Sequence, residues 1–355
     1  YPGSVAGIGW TVNMSSTIGQ AFQVGQAVIM AARYAGEMNG SNLSNVNVSY
    51  PNTYGSSNCC YLSSTKTIYL DYVTSSNNAY PNSYASWDAI LHEYGHHVQH
   101  EFNISNSPGG QHSIGANLAD IHGKQSGIRL AWGEAFPTTF SMMVQDYYLV
   151  QTQNIYTFGD TSYTAFNGVD EPVENINSQY KSEANEAAIF GLLWDLYDNS
   201  SNETFDTISM SHNTFWNIIT GSSATTFSAF ANCYYSLLTF SERLQFGELL
   251  SYYGMAASDL YAYGFDNTPM FNWTRNGTTS TMQNNNFTLM LYNLSGVQLF
   301  SKTNINAAQV LLSANEWNQV LSTGYTDLIA VLIAYQTNTP LTGGYISQPL
   351  YCDIS

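Results

Sequence analysis

The sequence predicts an α+β fold in two domains, a mainly helical domain with a small antiparallel sheet over residues 1–265 and a β-sandwich over residues 266–355. The chain has 355 residues, more than the roughly 100–200 residues of a typical domain. Apolar residues at helical spacing dominate as far as about residue 262. After about Phe265, short alternating runs separated by Asn, Gly and Thr turns indicate a small sandwich of about 90 residues.

The helices are predicted from the spacing of their apolar residues and from the residues that end them. The first covers residues 17–38, where apolar side chains recur at helical spacing before Gly40; these are Ile18, Phe22, Val28, Ile29 and Ala32. Further helices are expected at about 83–102, at 127–149 with Pro137 as a kink near the middle, and at 183–197, while 205–262 is expected to be mostly helical.

The strands are predicted where apolar and polar residues alternate between loops rich in Asn, Gly and Ser. In the first domain, residues 66–73 (K-T-I-Y-L-D-Y-V) show this alternation. In the second domain, strands are expected at 287–292, 297–302, 330–335 and 344–351.

The charge of the chain excludes several partners. Charged side chains make up 9% of the residues, against roughly 25% in a typical soluble domain. The 8 Lys+Arg and 25 Asp+Glu give a net charge of −17. Nucleic-acid binding needs a basic patch, so no nucleic acid is expected as a partner, and an anionic membrane surface is disfavoured for the same reason. No apolar run reaches the length of about 18 residues that a transmembrane segment needs.

Asn, Ser, Thr and Tyr take the place of charged residues on the predicted surface, and many N-x-[ST] sequons follow. Glycans at several of them would supply the solubility that charge does not, whereas the alternative is polar loops that match the pattern by chance. The sequons are Asn13, Asn39, Asn42, Asn47, Asn103, Asn199, Asn202, Asn272, Asn276, Asn286 and Asn293.

The four cysteines, Cys59, Cys60, Cys233 and Cys352, form no C-x-x-C motif, so a cysteine zinc site is not expected. A bridge between the adjacent Cys59 and Cys60 would be strained. We therefore expect one of the other two pairings, each joining this pair to distant chain, with free buried thiols as the alternative. Disulfides, sequons and a first residue other than Met together favour an extracellular protein, either secreted or at the cell surface.

The histidines carry the chemical signal. Six of the seven lie between residues 92 and 122, and the second predicted helix contains His92-Glu93-Tyr94-Gly95-His96, an H-E-x-x-H motif. Positions i and i+4 of a helix differ by about 40° in direction, so both imidazoles can share one tetrahedral Zn²⁺. Glu93 can then act as general base on a water molecule whose pKa the zinc lowers. The alternative is a His-rich amphipathic helix that binds no metal.

A catalytic zinc site needs a third protein ligand and one open position. Glu134, in L-A-W-G-E-A-F-P, is the first candidate, because a lone carboxylate between Trp132 and Phe136 needs a partner. The alternatives are Asp120, His112 and His122.

These motifs resemble those of the gluzincin metallopeptidases, in which a Glu on the next helix completes H-E-x-x-H. The resemblance covers about residues 60–200, through H-E-Y-G-H-H-V, S-P-G-G-Q-H-S, G-I-R-L-A-W-G-E-A-F and E-A-A-I-F-G-L-L-W-D-L-Y-D. It implies a zincin-like catalytic domain with His92, His96 and Glu134 as zinc ligands and Glu93 as catalytic base. The 37 residues between His96 and Glu134 exceed the spacing in thermolysin-like members, which leaves the shape of the cleft open.

Candidates can also be named for the residues that support the zinc site and bind the substrate. His112, in a Gly-rich loop, is the first candidate for the donor to the oxyanion, ahead of an unidentified Tyr. Asp195 or Asp198 can accept the second N–H of a ligand imidazole, although a solvated carboxylate at a helix end is the alternative. His97 and His100 are expected to pack or face solvent. By the resemblance, strand 66–73 is the edge strand that pairs with an extended peptide; a purely structural strand is the alternative.

The sequence therefore predicts a secreted zinc metallopeptidase, most simply an endopeptidase acting on a peptide or protein. The alternative is an extracellular structural or cell-surface glycoprotein, a filament or coat component, that keeps a zincin fold with little or no activity. No motif for a free substrate N-terminus supports an aminopeptidase. The C-terminal region resembles fibronectin type III modules and is a candidate for self-assembly or cell-surface association.

The low charge also predicts how the protein responds to acid. Few ion pairs can be lost in acid, so we expect the fold to survive well below pH ~5. Activity is expected to be lost near or above pH ~5, because zinc binding needs neutral imidazoles.

Overall fold

A computed structural model describes residues 17–52, 60–71, 87–152, 162–164, 170–172, 181–198, 208–255, 260–263, 269–273, 286–307, 309–335, 344–346 and 350–353. The helices in this part of the chain are α1 (Thr17–Asn39), α2 (Trp87–Phe102), α3 (Leu118–His122), α4 (Lys124–Thr152), α5 (Glu186–Tyr197), α6 (His212–Gly221), α7 (Phe227–Leu237), α8 (Phe240–Tyr252) and α9 (Ala314–Leu321).

The strands are short and belong to small sheets. They are β1 (Asn47–Asn52), β2 (Cys60–Leu62), β3 (Thr67–Asp71), β4 (Ser162–Thr164), β5 (Asp170–Pro172), β6 (Leu260–Tyr263), β7 (Met270–Trp273), β8 (Asn286–Asn293), β9 (Gln298–Ile305), β10 (Gln309–Leu311), β11 (Asp327–Tyr335), β12 (Gly344–Ile346) and β13 (Leu350–Asp353). Helices beside small, mainly antiparallel sheets confirm the predicted α+β class.

The chain divides into two compact units. The first comprises residues 1–101 and 140–170, and the second comprises residues 102–139 and 171–355. The predicted boundary between residues 265 and 266 falls among residues 264–268, which lie outside the described part, so it stays a prediction.

The first unit combines α1, most of α2 and the C-terminal half of α4 with the sheet β1-β3-β2. In this sheet β1 runs parallel to β3, and β2 runs antiparallel to it. The predicted antiparallel sheet is therefore mixed. The same order corrects the prediction for residues 66–73, because β3 is hydrogen-bonded on both sides by β1 and β2 and is not an edge strand.

Helix α1 has nearly its predicted bounds, but it buries a different face. Ile18, Phe22 and Ile29 are 68%, 62% and 53% exposed. The buried stripe runs through Val24, Ala27, Val28, Ala31, Tyr34 and Ala35, so Val28 is the predicted residue that is buried. The helix is apolar on more than one side, so apolar spacing alone could not select the face that packs.

Polar and aromatic contacts hold α4 against α2 within the first unit. The hydroxyl of Ser141 donates to the carbonyl oxygen of Asp88 at 2.8 Å, and the amide of Gln145 donates to the Asp88 carboxylate at 2.5 Å. The rings of Tyr94 and Phe140 stack with centroids 6.0 Å apart. Helix α4 is continuous through Pro137, and the kink expected there stays a prediction.

The second unit centres on α5, whose residues from Glu186 to Tyr197 are all buried. The side chain of Asn185 caps this helix by accepting from the backbone N–H of Ala188. The N-terminal part of α4 packs closely on α3, since a Cβ built on Gly127 would lie 2.3 Å from the backbone nitrogen of Ala119. Helices α6 to α8 confirm that residues 205–262 are mostly helical where they are described, although residues 260–262 belong to strand β6.

The C-terminal region contains two antiparallel sheets. The larger has the order β12-β11-β8-β9, with β13 also paired to β11, and the smaller has the order β10-β7-β6. Helix α9 was not among the predicted elements, although Ser313 and Glu316 form a capping box at its start. Within the described residues, the helices are all too short or too polar to cross a bilayer.

Candidate metal centre

Helix α2 places the histidine motif on a buried face. His92 and Glu93 are each 6% exposed, and His96 is half-buried. The rings of His92 and His96 are 4.8 Å apart and nearly perpendicular, at 83°. This is the arrangement expected for two imidazoles that project from successive turns toward one point.

A neighbouring amide orients the His96 ring. Nδ1 of His96 lies 3.2 Å from Oε1 of Gln99, one turn further along α2, and Gln99 is 2% exposed. An amide oxygen accepts, so this contact favours the form of His96 that is protonated at Nδ1, with Nε2 as the nitrogen that can bind a metal. Such an outer partner is typical of a histidine that binds a metal.

The third ligand position lies on α4. Glu134 is 7% exposed. It precedes Phe140 by six residues on one continuous helix, about 9 Å along its axis. A Cβ built on Gly133 would lie 2.6 Å from Cβ of Ser107, so the loop before α3 also packs against α4 beside Glu134.

His92, His96 and Glu134 each offer one ligand atom, and these atoms lie within 4.8 Å of one another. Two imidazole nitrogens and a carboxylate oxygen suit Zn²⁺, and three protein ligands leave one position open. The residues present therefore fit a divalent metal of this kind. In the described part of the chain, the alternative ligands Asp120, His112 and His122 do not belong to this group.

A second group with ligand-type atoms, His97, His100 and Glu101, lies on the next turns of α2. The hydroxyl of Tyr61 contacts Nδ1 of both His97 and His100, at 3.0 and 3.2 Å, and Nε2 of His97 lies 3.0 Å from the Ser44 carbonyl oxygen. His97 is fully buried, which lowers its pKa, whereas His100 is exposed.

The carboxylate of Glu101 is already hydrogen-bonded within this second group. It accepts from Nζ of Lys66 at 2.8 Å and from the backbone N–H of Ser44 at 3.3 Å. Burial raises the pKa of Glu101, but these hydrogen bonds outweigh it and lower that pKa to about 2. The group is therefore a hydrogen-bonded junction between α2 and the sheet. His97 is buried and His100 is exposed, which agrees with the prediction that these two residues pack or face solvent.

His112, the predicted oxyanion donor, lies between two buried carboxylates. Its Nε2 is 3.6 Å from Oε2 of Glu134, and its Nδ1 is 3.4 Å from Oε2 of Glu186. The imidazole is 37% exposed, while the side chain of Glu186 is 2% exposed. Thr138 adds a contact at 3.5 Å from its hydroxyl to Oε1 of Glu186.

Glu186 was not singled out from the sequence. It opens α5 and is 74 residues from His112 along the chain, so their contact depends on tertiary structure. In the sequence, the signal for Glu186 is a carboxylate directly after the N-cap residue Asn185, at the start of a helix whose only other charged residue is Asp195.

Asp195, the predicted partner of a ligand imidazole, is 1% exposed and accepts from the Tyr253 hydroxyl at 2.7 Å. Asp198, the alternative, is the C-cap of α5. A role of either carboxylate toward His92 or His96 stays a prediction.

The sequons occupy varied settings. Exposed positions are Asn39, Asn42, Asn47 and Asn103. Asn272 lies in β7 and Asn286 is half-buried at the start of β8, while Asn13, Asn199, Asn202 and Asn276 lie outside the described residues. Asn293 is 2% exposed, and its side-chain oxygen accepts from the backbone N–H groups of Ser295 and Val297, which favours a structural role in that turn.

The expected disulfides are corrected in the described residues, because no bridge joins Cys60, Cys233 and Cys352 to one another. Both expected pairings required Cys60 to bond one of the other two. Cys352 lies on β13 with its thiol turned into the apolar interior, 3.7 Å from the Leu350 carbonyl oxygen. Burial raises the pKa of this thiol to about 12. Cys59 lies outside the described residues.

Comparison with models of known protein families and with curated protein sequences found no match. Function is therefore inferred from the chemistry and geometry of the site itself.

Proposed function

We propose that this chain is an extracellular zinc metallopeptidase of the gluzincin type, which hydrolyses peptide bonds in peptides or proteins. The observation that supports it is the grouping of ligand atoms from His92, His96 and Glu134 within 4.8 Å of one another, with Glu93 next to His92 on the same helix. The alternative, a His-rich helix that binds no metal, does not explain why a buried carboxylate from another helix lies beside the two imidazoles.

The proposal includes the finer architecture that the resemblance implies. The catalytic region is a zincin-like domain in which α2 and α4 carry the ligands, and the C-terminal region is a β-sandwich related to fibronectin type III modules. The supporting features are the packing of α4 on α2 and the two antiparallel sheets near the C-terminus.

His92, His96 and Glu134 would hold the zinc ion. When bound, the ion supplies a Lewis acid that polarises the scissile carbonyl group and lowers the pKa of water in the site. Glu93 takes a proton from the attacking water onto its carboxylate and then passes it to the leaving amine. The burial of Glu93, at 6% exposure, limits competing contacts of its carboxylate with bulk water.

His112 is the proposed hydrogen-bond donor to the substrate carbonyl oxygen, and its ring lies beside Glu134. Its Nε2 is directed toward the Glu134 carboxylate, and its 37% exposure leaves the ring accessible to a substrate. An N–H at this nitrogen can donate to the carbonyl oxygen as negative charge develops there, and such donors contribute about 10²–10³-fold in rate. The sparse surface charge and the exposed sequons support an extracellular location.

The test compares wild-type protein with Glu93→Gln for zinc content and for cleavage of an unstructured protein such as casein. Wild type is expected to hold zinc and cleave, whereas Glu93→Gln keeps the zinc and loses about 10²–10⁴-fold in rate. Asp120→Asn, which changes an exposed carboxylate outside the ligand group, is the matched control and should keep both properties.

Two results would overturn the proposal in different ways. Wild-type protein that does not retain zinc would exclude the metal site. Tightly bound zinc without Glu93-dependent cleavage would favour the structural or cell-surface glycoprotein instead.

A further inference from the structure

The loop that carries His112 has no regular structure of its own. Residues 104–113 lie between α2 and the turn that precedes α3, and His112 is more than a third exposed. An imidazole on such a loop can rotate among several rotamers unless another group holds it. Its direction toward Glu134 therefore needs an anchor.

Glu186 has the properties of that anchor. Its carboxylate is almost fully buried, and a buried carboxylate requires polar partners. Among the described residues, its polar contacts are the Thr138 hydroxyl at 3.5 Å and Nδ1 of His112 at 3.4 Å. Glu186 also lies in the first turn of α5, where the helix dipole favours a negative charge.

We propose that Glu186 is a positioning residue that holds the His112 ring by its Nδ1–H, so that Nε2 is the nitrogen turned toward Glu134 and the substrate. This inference rests on the proposed peptidase function. Glu186 itself contacts neither the ligand group nor the reacting atoms and acts through His112. The Thr138 hydroxyl lies 3.5 Å from the Glu186 carboxylate and 3.1 Å from the backbone oxygen of Glu134. It therefore places the Glu186 carboxylate beside the turn of α4 that carries Glu134.

A nearby carboxylate provides a matched control. Glu183 is also fully buried and lies three residues before Glu186, but its carboxylate accepts from the backbone N–H and hydroxyl of Ser228. Replacement of a buried carboxyl group by an amide near the start of α5 is thus common to Glu183→Gln and Glu186→Gln. Only the second change alters the contact with His112.

The first measurement does not depend on activity. Long-range ¹H–¹⁵N spectra of the full chain, assigned with His112→Gln, report which ring nitrogen of His112 carries the proton. Wild type and Glu183→Gln are expected to show one ring form with protons on both nitrogens, because Nδ1–H donates to Glu186 and Nε2–H is the donor assigned to the substrate carbonyl oxygen. Glu186→Ala is expected to show exchange between ring forms. An unchanged His112 signal in folded Glu186→Ala would overturn the proposal.

The second measurement follows cleavage and zinc affinity. Glu186→Ala is expected to lower kcat about 10–100-fold, the range seen when an outer partner of a functional histidine is removed. KM and zinc affinity should each stay within about threefold of wild type, because the ligand group is intact. Glu186→Gln, which keeps an acceptor oxygen for Nδ1–H, should recover part of this loss, and Glu183→Gln should keep the wild-type kcat.

A double-mutant cycle separates positioning from a general structural effect. In a His112→Ala background, Glu186→Ala should cost no further activity, since it acts only through the ring. Full additivity of the two losses, or an equal loss of kcat in Glu183→Gln, would overturn the proposal. Wild-type protein that does not cleave would instead refute the peptidase function, while the spectra would still test how His112 is held.

Discussion

Glu183 is expected to make the stability of the fold depend on pH between about 4.5 and 7. Its side chain is fully buried, and one oxygen accepts from Ser228. The other oxygen is buried without a hydrogen-bond partner in the described residues. Burial raises the pKa of this carboxyl from 4.5 to about 7, against the opposing effects of the Ser228 hydrogen bonds and the positive charge of Lys124. Lys124 is itself partly buried, which lowers its pKa.

The sign follows from the raised pKa. The folded chain binds this proton more tightly than the unfolded chain, so the stability is fully present below pH 4.5 and is lost as the pH rises toward 7. A pKa change of this size corresponds to about 3 kcal/mol in the free energy of unfolding, with a slope of at most about 1.4 kcal/mol per pH unit. Glu183→Gln removes the titration and keeps an oxygen that can accept from Ser228.

The assay is urea unfolding of wild type and Glu183→Gln at half-unit intervals from pH 4 to 8. The stability of wild type relative to the variant is expected to fall by about 3 kcal/mol across this range. Ser228→Ala, which removes the hydroxyl and keeps the carboxyl, should be less stable than wild type and should retain the pH dependence. Parallel stability curves for wild type and Glu183→Gln would refute the reasoning.

Two further predictions concern the candidate site and its support. Glu134→Gln should weaken zinc binding by at least about 100-fold, since a neutral amide replaces a charged ligand; chelator competition measures this, and unchanged affinity would exclude Glu134 as a ligand. Trp132→Phe should lower the free energy of unfolding by about 2–4 kcal/mol. The fully buried indole N–H donates to the Ile104 carbonyl oxygen at 2.7 Å, and the smaller ring leaves that oxygen without its donor. Urea unfolding with an unchanged midpoint would contradict it.

The features that could be predicted from the sequence are local ones. His92 and His96 share a face because four residues make about one helical turn, and this holds wherever the helix packs. The start of α9 could have been read in the same way, from Ser313 and Glu316 at capping-box spacing.

The features that could not be predicted depend on distant residues. Strand β3 was expected at a sheet edge, but the order of strands is decided by pairing between segments, and β1 and β2 cover both of its edges. The buried face of α1 depends on partners such as Phe140 and Tyr147, which pack on Tyr34 from more than 100 positions away along the chain. Glu186 reaches His112 in the same long-range manner.

The fold and the proposed metal site should respond to acid in opposite ways. Charged residues are only 9% of the chain, so few ion pairs can be lost. The contribution of Glu183 is fully present below pH 4.5, and Glu101, with a pKa of about 2, keeps its bond to Lys66 until the pH approaches that value. Zinc binding instead requires neutral imidazoles, and an ordinary histidine has a pKa of about 6.5.

Acid should therefore remove the metal from a chain that stays folded. Circular dichroism is expected to change little between pH 7 and about 4, while zinc retained after dialysis falls near or above pH ~5. The control is return to pH 7 with added zinc, which should restore metal content and cleavage together if the fold was kept. Zinc and cleavage that persist at pH ~3 would contradict this separation, because they would require the ligand imidazoles to stay neutral far below their ordinary range.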